Sequence, residues 1–359
     1  MFQSVRVENE NMEKVIDIVK SKINTYEILA NPASIKFLFF DSDNPDINKQ
    51  FDELRKILVP MGYIPLLVLD VEHFVEVGIR PKASYRSNKV NIVMLILTLA
   101  STIYVGSIYA SSFVNPGAYA EEYKLLYGFV FFSLPLMFIL GIHETAHYIV
   151  ARKYHVNASL PFFIPFPYMI GTFGAFVSLR DPVPTRRAMA EIGAAGPIAG
   201  FLAAIPLLFV AQYFEGIFKP IGNYIPFLLN YPEIYHLFGI VEPSAVPIFP
   251  MVFAVWVGMF ATAMNLIPAG QLDGGHIARG ILGPKSYIVG YIFIGFLIYL
   301  TIAYDYIGWL FLALFVIFMG MVHPPALNDY EKISKFDIGI GVFCLVMFAL
   351  TFTALPIKP

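Results

Sequence analysis

The sequence predicts a polytopic α-helical membrane protein of about seven spans, with a re-entrant hairpin beside one of them and a small cytosolic α/β domain ahead of the first. Three observations predict it. Of 359 residues, 57% are hydrophobic and only 14% charged, where an ordinary soluble chain has about a quarter charged. The apolar residues gather in runs approaching the roughly 20 that a helix needs to cross a bilayer. Residues 1–84 differ, mixing charge with short helical and strand-like patterns.

In the first 84 residues, Met12, Val15, Ile16, Val19 and Ile23 recur at helical spacing, and Ile47, Phe51, Leu54 and Leu58 mark a second helix. Residues 34–40 and 63–69 are rich in β-branched and aromatic side chains, and 73–79 alternates as a half-buried strand does. No catalytic constellation appears here, so a regulatory or recruiting module is expected. The N-terminus lacks the basic stretch and apolar core of a signal peptide and carries acidic residues foreign to a transit peptide, so it is expected to stay in the cytoplasm.

A basic linker with Pro81 and Ser84 spans 80–89, and the first membrane helix is expected over 90–113. The second lies within 123–150, the third over 193–214, the fourth over 246–267, the fifth over 287–304, the sixth over 306–322 and the seventh over 338–355. The chain's His- and Asp-bearing motifs fall within 123–284, and the helices of 287–355 are expected to be accessories to that core in a membrane domain running from 85 to 359. The third opens Gly193-Ala194-Ala195-Gly196-Pro197 and continues with Ala199 and Gly200, small residues that let helix backbones approach closely. Residues 160–179 are apolar but broken by Pro161, Pro165, Pro167, Gly171 and Gly174. Irregular backbone is not tolerated against lipid, so this stretch is expected to be re-entrant and packed on protein, with a short hairpin over 171–179. It either plugs the bundle or binds substrate.

Orientation follows the basic residues. One side holds Arg80, Lys82, Arg86, Lys89, Arg152, Lys153, Arg180, Arg186, Arg187, Arg279, Lys285, Lys332 and Lys335; the other holds Lys124, Lys219 and Lys358. That bias puts the N-terminus inside and, with seven spans, the C-terminus outside. The acidic-leaning loop with Glu215, Glu233 and Glu242 then falls outside. A prokaryotic plasma membrane is the expected location. A net charge of −2, without basic stretches interleaved with aromatics, gives no footprint for nucleic acid. The single Cys344 sits in an apolar run, which excludes an internal disulfide framework and a thiolate metal site.

The second apolar run contains His143-Glu144-Thr145-Ala146-His147. On a helix, residues 143 and 147 stand one above the other, so two imidazoles can grip one metal ion and Glu144 can take a proton from its water. Zinc suits this geometry. Taken alone, the motif could equally be two buried histidines satisfied by carbonyls. After the fourth apolar run the chain reads Asn265-Leu266-Ile267-Pro268-Ala269-Gly270-Gln271-Leu272-Asp273-Gly274-Gly275. Taken alone, Asp273-Gly274-Gly275 is an ordinary turn. Together, Asp273 becomes the natural third ligand of a His₂-carboxylate shell with one open position, the catalytic arrangement. His276 as a fourth ligand would close the position water needs, so a supporting role beside the ligands is assigned to it. His155, Asn157 and Ser159 offer a polar path from the cytoplasmic side, and His323, before two prolines, reads as interfacial.

The pair of motifs resembles the site-2 protease family of intramembrane zinc metalloproteases: His143, Glu144 and His147 match its HExxH, and Asn265, Pro268, Leu272, Asp273 and Gly274 match its NxxPxxxLDG. Residues 171–175 and 194–197 also resemble family features. The resemblance implies one zinc held by His143, His147 and Asp273, Glu144 as catalytic acid/base, and Asn265 as a polar contact to substrate or developing oxyanion. It implies transmembrane proteins as substrates, cut within the lipid bilayer, with Gly171, Thr172, Phe173, Gly174 and Pro268 as candidate substrate contacts. The chain departs from better-known members in lacking a PDZ-like insertion and paired nucleotide-sensing modules. Two rivals stand beside a protease: a metal-ion transporter using the same ligands, and an inactive membrane scaffold. Neither needs the Glu144 carboxylate.

Overall fold

A computed structural model describes residues 2–31, 33–80, 87–114, 120–218, 220–221, 229–240, 247–321 and 323–357. Most of the expected linker, the start of the expected fourth helix, the end of the sixth, and the charged residues Lys82, Arg86, Lys219, Glu242 and Lys358 lie outside them.

The first unit contains α1 (Phe2–Lys22), β1 (Glu27–Ala30), β2 (Ser34–Leu38), α2 (Ile47–Leu58), β3 (Tyr63–Leu69) and β4 (His73–Ile79). The sheet runs β1-β2-β4-β3, antiparallel throughout. The spacing of Ile47, Phe51, Leu54 and Leu58 puts all four on one face of α2, where they are buried with Val15 and Val19 of α1 and Ile23 just past it against Phe37, Leu67 and Val75 of the sheet. Strand β1 was not foreseen. Three of its four residues are exposed, so it has no alternation to read.

Leu327, far along the chain, completes that core. The Leu67 N–H donates to the Leu327 carbonyl (2.9 Å), while the N–H groups of Leu327 and Asn328 donate to Val183 (3.0 Å) and Pro184 (2.9 Å). The open edge of β3 is thereby covered by the segment preceding the last helix. Arg80, at the end of β4, pairs with Asp181 at 2.7 Å, and Arg55 of α2 reaches the Tyr154 carbonyl at 3.2 Å. The α/β unit is thus seated on the membrane part through named bonds.

The membrane part is helical apart from one hairpin. It contains α3 (Asn88–Ala110), α4 (Ala120–Gly128), α5 (Leu134–Lys153), α6 (Arg186–Ile217), α7 (Glu233–Leu237), α8 (Pro250–Asn265), α9 (Asp273–Leu282), α10 (Ser286–Tyr304), α11 (Gly308–Met319) and α12 (Lys335–Thr351). Among the described residues, four helical stretches are long and apolar enough to cross a membrane: Asn88–Phe113, Glu121–Lys153, Arg186–Ile217 and Asp273–Tyr304. Helices α8 and α11 are apolar but shorter. A π-helical turn, Phe129–Ser133, joins α4 to α5. It falls just ahead of Pro135, which has no N–H to give the preceding turn, and so the helix continues into the motif.

The hairpin is wider than expected: β5 (Phe162–Phe166) pairs with β6 (Gly171–Phe176), so the expected hairpin over 171–179 supplies only the second strand. The register slips between Phe163 and Pro165, where proline cannot donate to the ladder. Asn91 of α3 donates to the Leu160 carbonyl at 2.6 Å and the Tyr109 hydroxyl to the Met169 carbonyl at 2.8 Å. A Cβ on Gly171, whose φ is +83°, would meet the Thr102 Cα at 2.7 Å. The irregular backbone is packed on α3, as its polar groups require in an apolar medium.

Candidate metal centre

Helix α5 carries His143, Glu144 and His147, all nearly buried at 3%, 4% and 7% exposure. The i, i+4 spacing brings the two imidazoles edge to face with ring centroids 5.0 Å apart. Asp273 is the first residue of α9, where the chain turns back sharply after α8. The turn is tight enough that side chains at Gly274 and Gly275 would strike the carbonyls of Leu266 and Gly270, so the glycine pair permits the reversal. It delivers Asp273 Oδ2 to 3.1 Å from His143 Nε2 and 3.2 Å from His147 Nε2. The three donor atoms lie within 4.8 Å of one another.

Helix α6 prepares these ligands. His147 Nδ1 lies 2.7 Å from the Ile192 carbonyl, which can only accept, so Nδ1 carries the proton and Nε2 keeps its lone pair for a metal. Pro197 lies inside α6 and has no N–H to bond the Gly193 carbonyl one turn back. A Cβ on Gly196 would run into His147 Nε2, and one on Gly193 would meet the Asp273 carbonyl at 2.9 Å. Two imidazole nitrogens and one carboxylate oxygen, converging with no fourth protein ligand among the described residues, fit zinc with an open position.

A cavity of about 330 Å³ opens beside this cluster. It is lined by Glu144, Asn265 and Asp273, by the hairpin through Phe173 and Phe176, and by α11 through Phe315 and Met319. Glu144 and Val177, the residue just beyond β6, line the same cavity. Asn265 ends α8 and holds its Nδ2 3.4 Å from His143 Nε2. Six residues expected from the sequence therefore come together: His143, Glu144, His147, Asn265, Asp273 and Phe173.

Four others do not line the cavity. The Thr172 hydroxyl donates to the Ile164 carbonyl (2.8 Å) and accepts from the Gly174 N–H (3.0 Å). Gly171 and Gly174 hold φ values of +83° and +95°, so all three shape the hairpin. Pro268 sits in the turn between α8 and α9. The sequence reading missed Ile192, the particular partners of Gly193 and Gly196, and the α11 wall. It also set His276 and His323 apart, whereas His276 Nδ1 and His323 Nε2 lie 2.7 Å apart.

The family model described as peptidase family M50 matches residues 131–302, a stretch holding both motifs and every donor atom of the cluster. M50 is the site-2 protease family, so just under half of the chain resembles that family. Curated plant proteins are also similar to this chain. "Probable zinc metalloprotease EGY2, chloroplastic" of Arabidopsis thaliana is 31% identical over 43% of this chain and 29% of its own length. The protein of the same name from Oryza sativa subsp. indica is 29% identical over 64% of this chain and 43% of its own. "Probable zinc metalloprotease EGY1, chloroplastic" of Arabidopsis thaliana is 26% identical over 72% of this chain and 52% of its own. The chain thus spans about half the length, or less, of these relatives. No solved structure matches it.

Proposed function

We propose that the chain is a zinc-dependent intramembrane endopeptidase that hydrolyses peptide bonds in or near the transmembrane segments of membrane-protein substrates. The observation that carries this reading is the single Asp273 oxygen held 3.1 and 3.2 Å from two imidazole nitrogens, with Glu144 beside them at the cavity. His143, His147 and Asp273 hold the metal, which when bound supplies an acidified water and a Lewis acid for the scissile carbonyl. Glu144 takes the proton from the attacking water and delivers it to the leaving amine. The Asn265 amide donates toward the oxygen on which charge develops. A helical substrate hides its amides, so it unwinds first and pairs with the free edge of β6. The paired β5–β6 strands, packed on α3, support a re-entrant hairpin.

Residues 1–84 act as a cytosolic accessory domain and 85–359 as the membrane protease domain, its core 123–284 carrying the motifs and its last helices accessory. Seven spans in a prokaryotic plasma membrane, N-terminus in and C-terminus out, agree with the bias of basic residues. The test is zinc content of the purified protein in detergent, beside cleavage of a single-span substrate by wild type and by Glu144→Ala. Stoichiometric zinc in both, with cleavage in wild type alone, is expected. A variant that cleaves as well as wild type would remove Glu144 from the chemistry.

A further inference from the structure

His276 and His323 stand outside the ligand set, yet they form a chain of bonds whose direction is fixed at one end. His323 Nδ1 lies 3.1 Å from the Pro324 carbonyl. A carbonyl only accepts, so His323 Nδ1 carries a proton. Burial of the His323 ring holds its pKa below the ordinary histidine range, the Pro324 bond opposes this, and nearby Arg279 adds to the lowering, so the ring is neutral at pH 7. A neutral imidazole has one N–H, which leaves His323 Nε2 bare. That bare nitrogen is 2.7 Å from His276 Nδ1, so His276 Nδ1 must donate. By the same count, neutral His276 keeps its proton on Nδ1 and exposes a lone pair at Nε2.

His276 lines the cavity beside Glu144 and Asp273. Its Nδ1 is committed to His323, and among the described residues Nε2 has no hydrogen-bond partner. The ring therefore offers the cavity an acceptor. A substrate strand that pairs with β6 along one edge leaves the backbone groups of its other edge without partners. In an apolar site each such N–H costs free energy until it finds an acceptor. Besides the ligands and Glu144, the polar side chains lining the cavity are Asn265, Gln271 and His276.

We propose that His276 is a substrate-binding residue, its Nε2 accepting a hydrogen bond from a backbone N–H of the unwound substrate, and that His323 is the positioning residue that fixes its tautomer. This rests on the endopeptidase reading above. Two experiments decide it. In protein labelled with ¹⁵N-histidine, wild-type His276 should show a bare Nε2 and a protonated Nδ1, and His323→Leu should move a large share of the proton to Nε2. A protonated Nε2 in wild type overturns the proposal.

The second uses single-span substrates in which each amide near the cleavage site is replaced in turn by an ester, which removes one N–H. At one position the ester should lower wild-type kcat/KM about tenfold, mostly through KM, the size of one lost hydrogen bond. The same ester should cost His276→Leu nothing, while His276→Gln, which keeps an oxygen acceptor, should recover part of the discrimination. All variants should retain zinc as wild type does. If no position separates wild type from His276→Leu, His276 does not bind the backbone. A wild type that cleaves nothing overturns the endopeptidase reading instead, and the nitrogen spectrum still decides the tautomer.

Discussion

Gly196→Ala adds one carbon to α6 at the point where that helix passes closest to the ligands. The new Cβ would overlap His147 Nε2 and stand 2.5 Å from His147 Cδ2 and 2.7 Å from His143 Cδ2. Ordinary van der Waals contact begins at 3.4 Å, so clearing Cδ2 alone requires the His147 ring to retreat by about 0.9 Å, and clearing Nε2 requires more. Metal-ligand distances tolerate about 0.2 Å. The ring cannot swing freely, because Nδ1 is held by the Ile192 carbonyl at 2.7 Å. Overpacking of this kind costs about 1–3 kcal/mol, which at about 1.4 kcal/mol per decade corresponds to zinc bound roughly 5- to 150-fold more weakly. Competition against a fluorescent chelator in detergent measures it. The control is Gly216→Ala on the same helix, where a Cβ meets nothing within 4 Å; it should bind zinc as wild type does and gain up to about 1 kcal/mol of helix propensity. Zinc affinity in Gly196→Ala equal to that of the control would refute the claim that α6 sets the ligand geometry.

Two further substitutions probe the supports of the site. Asp181→Ala removes the acceptor shared by Arg80 (2.7 Å), the Asn157 N–H (2.8 Å) and the Asn157 amide (2.6 Å). With that carboxylate only 7% exposed, the loss should cost about 3 kcal/mol, read as faster hydrogen exchange at the Asn157 amide and a lower melting temperature, with zinc retained. Thr172→Val keeps the shape but leaves the Gly174 N–H and the Ile164 carbonyl without their shared hydroxyl. A loss of about 1–2 kcal/mol of hairpin order is expected, raising KM for cleavage while zinc binding stays unchanged; an unchanged KM would detach the hairpin from substrate binding.

The legible parts of the site are those carried by local spacing. Two histidines four apart on an apolar run must share a helix face whatever that helix packs against, and the tight turn at Asp273 is announced by its glycine pair, although the helix α9 that opens there was not foreseen. Across the α/β unit, the periodicity of Ile47, Phe51, Leu54 and Leu58 marked α2 because one face of it is buried. Long-range pairing left no such trace. His276 and His323 are 47 positions apart, and nothing local distinguishes a histidine bonded to another from one at an interface. Leu327 sits in a proline-containing, largely polar segment, yet it fills the core of the α/β unit. The glycines of α6 were legible as small, but a single sequence does not say which group each one faces.

Their positions supply that answer. Gly193, Gly196 and Gly200 stand at i, i+3 and i+7, a single stripe along α6. Gly193 lies against the Asp273 carbonyl and the His276 Cβ, Gly196 against His147, and Gly200 against His143, whose Nδ1 would be 3.1 Å from an added Cβ. The two halves of the centre reach it on helices far apart in sequence, with 130 positions between His143 and Asp273. A ligand triangle built from two independent helices holds its shape only if something fixes the gap between them. The stripe does so with backbone alone, which has no rotamers to change. The Ile192 carbonyl at its edge then selects the His147 nitrogen that faces the metal. By this reasoning α6 carries no ligand of its own and still determines whether the other two helices form a zinc site at all.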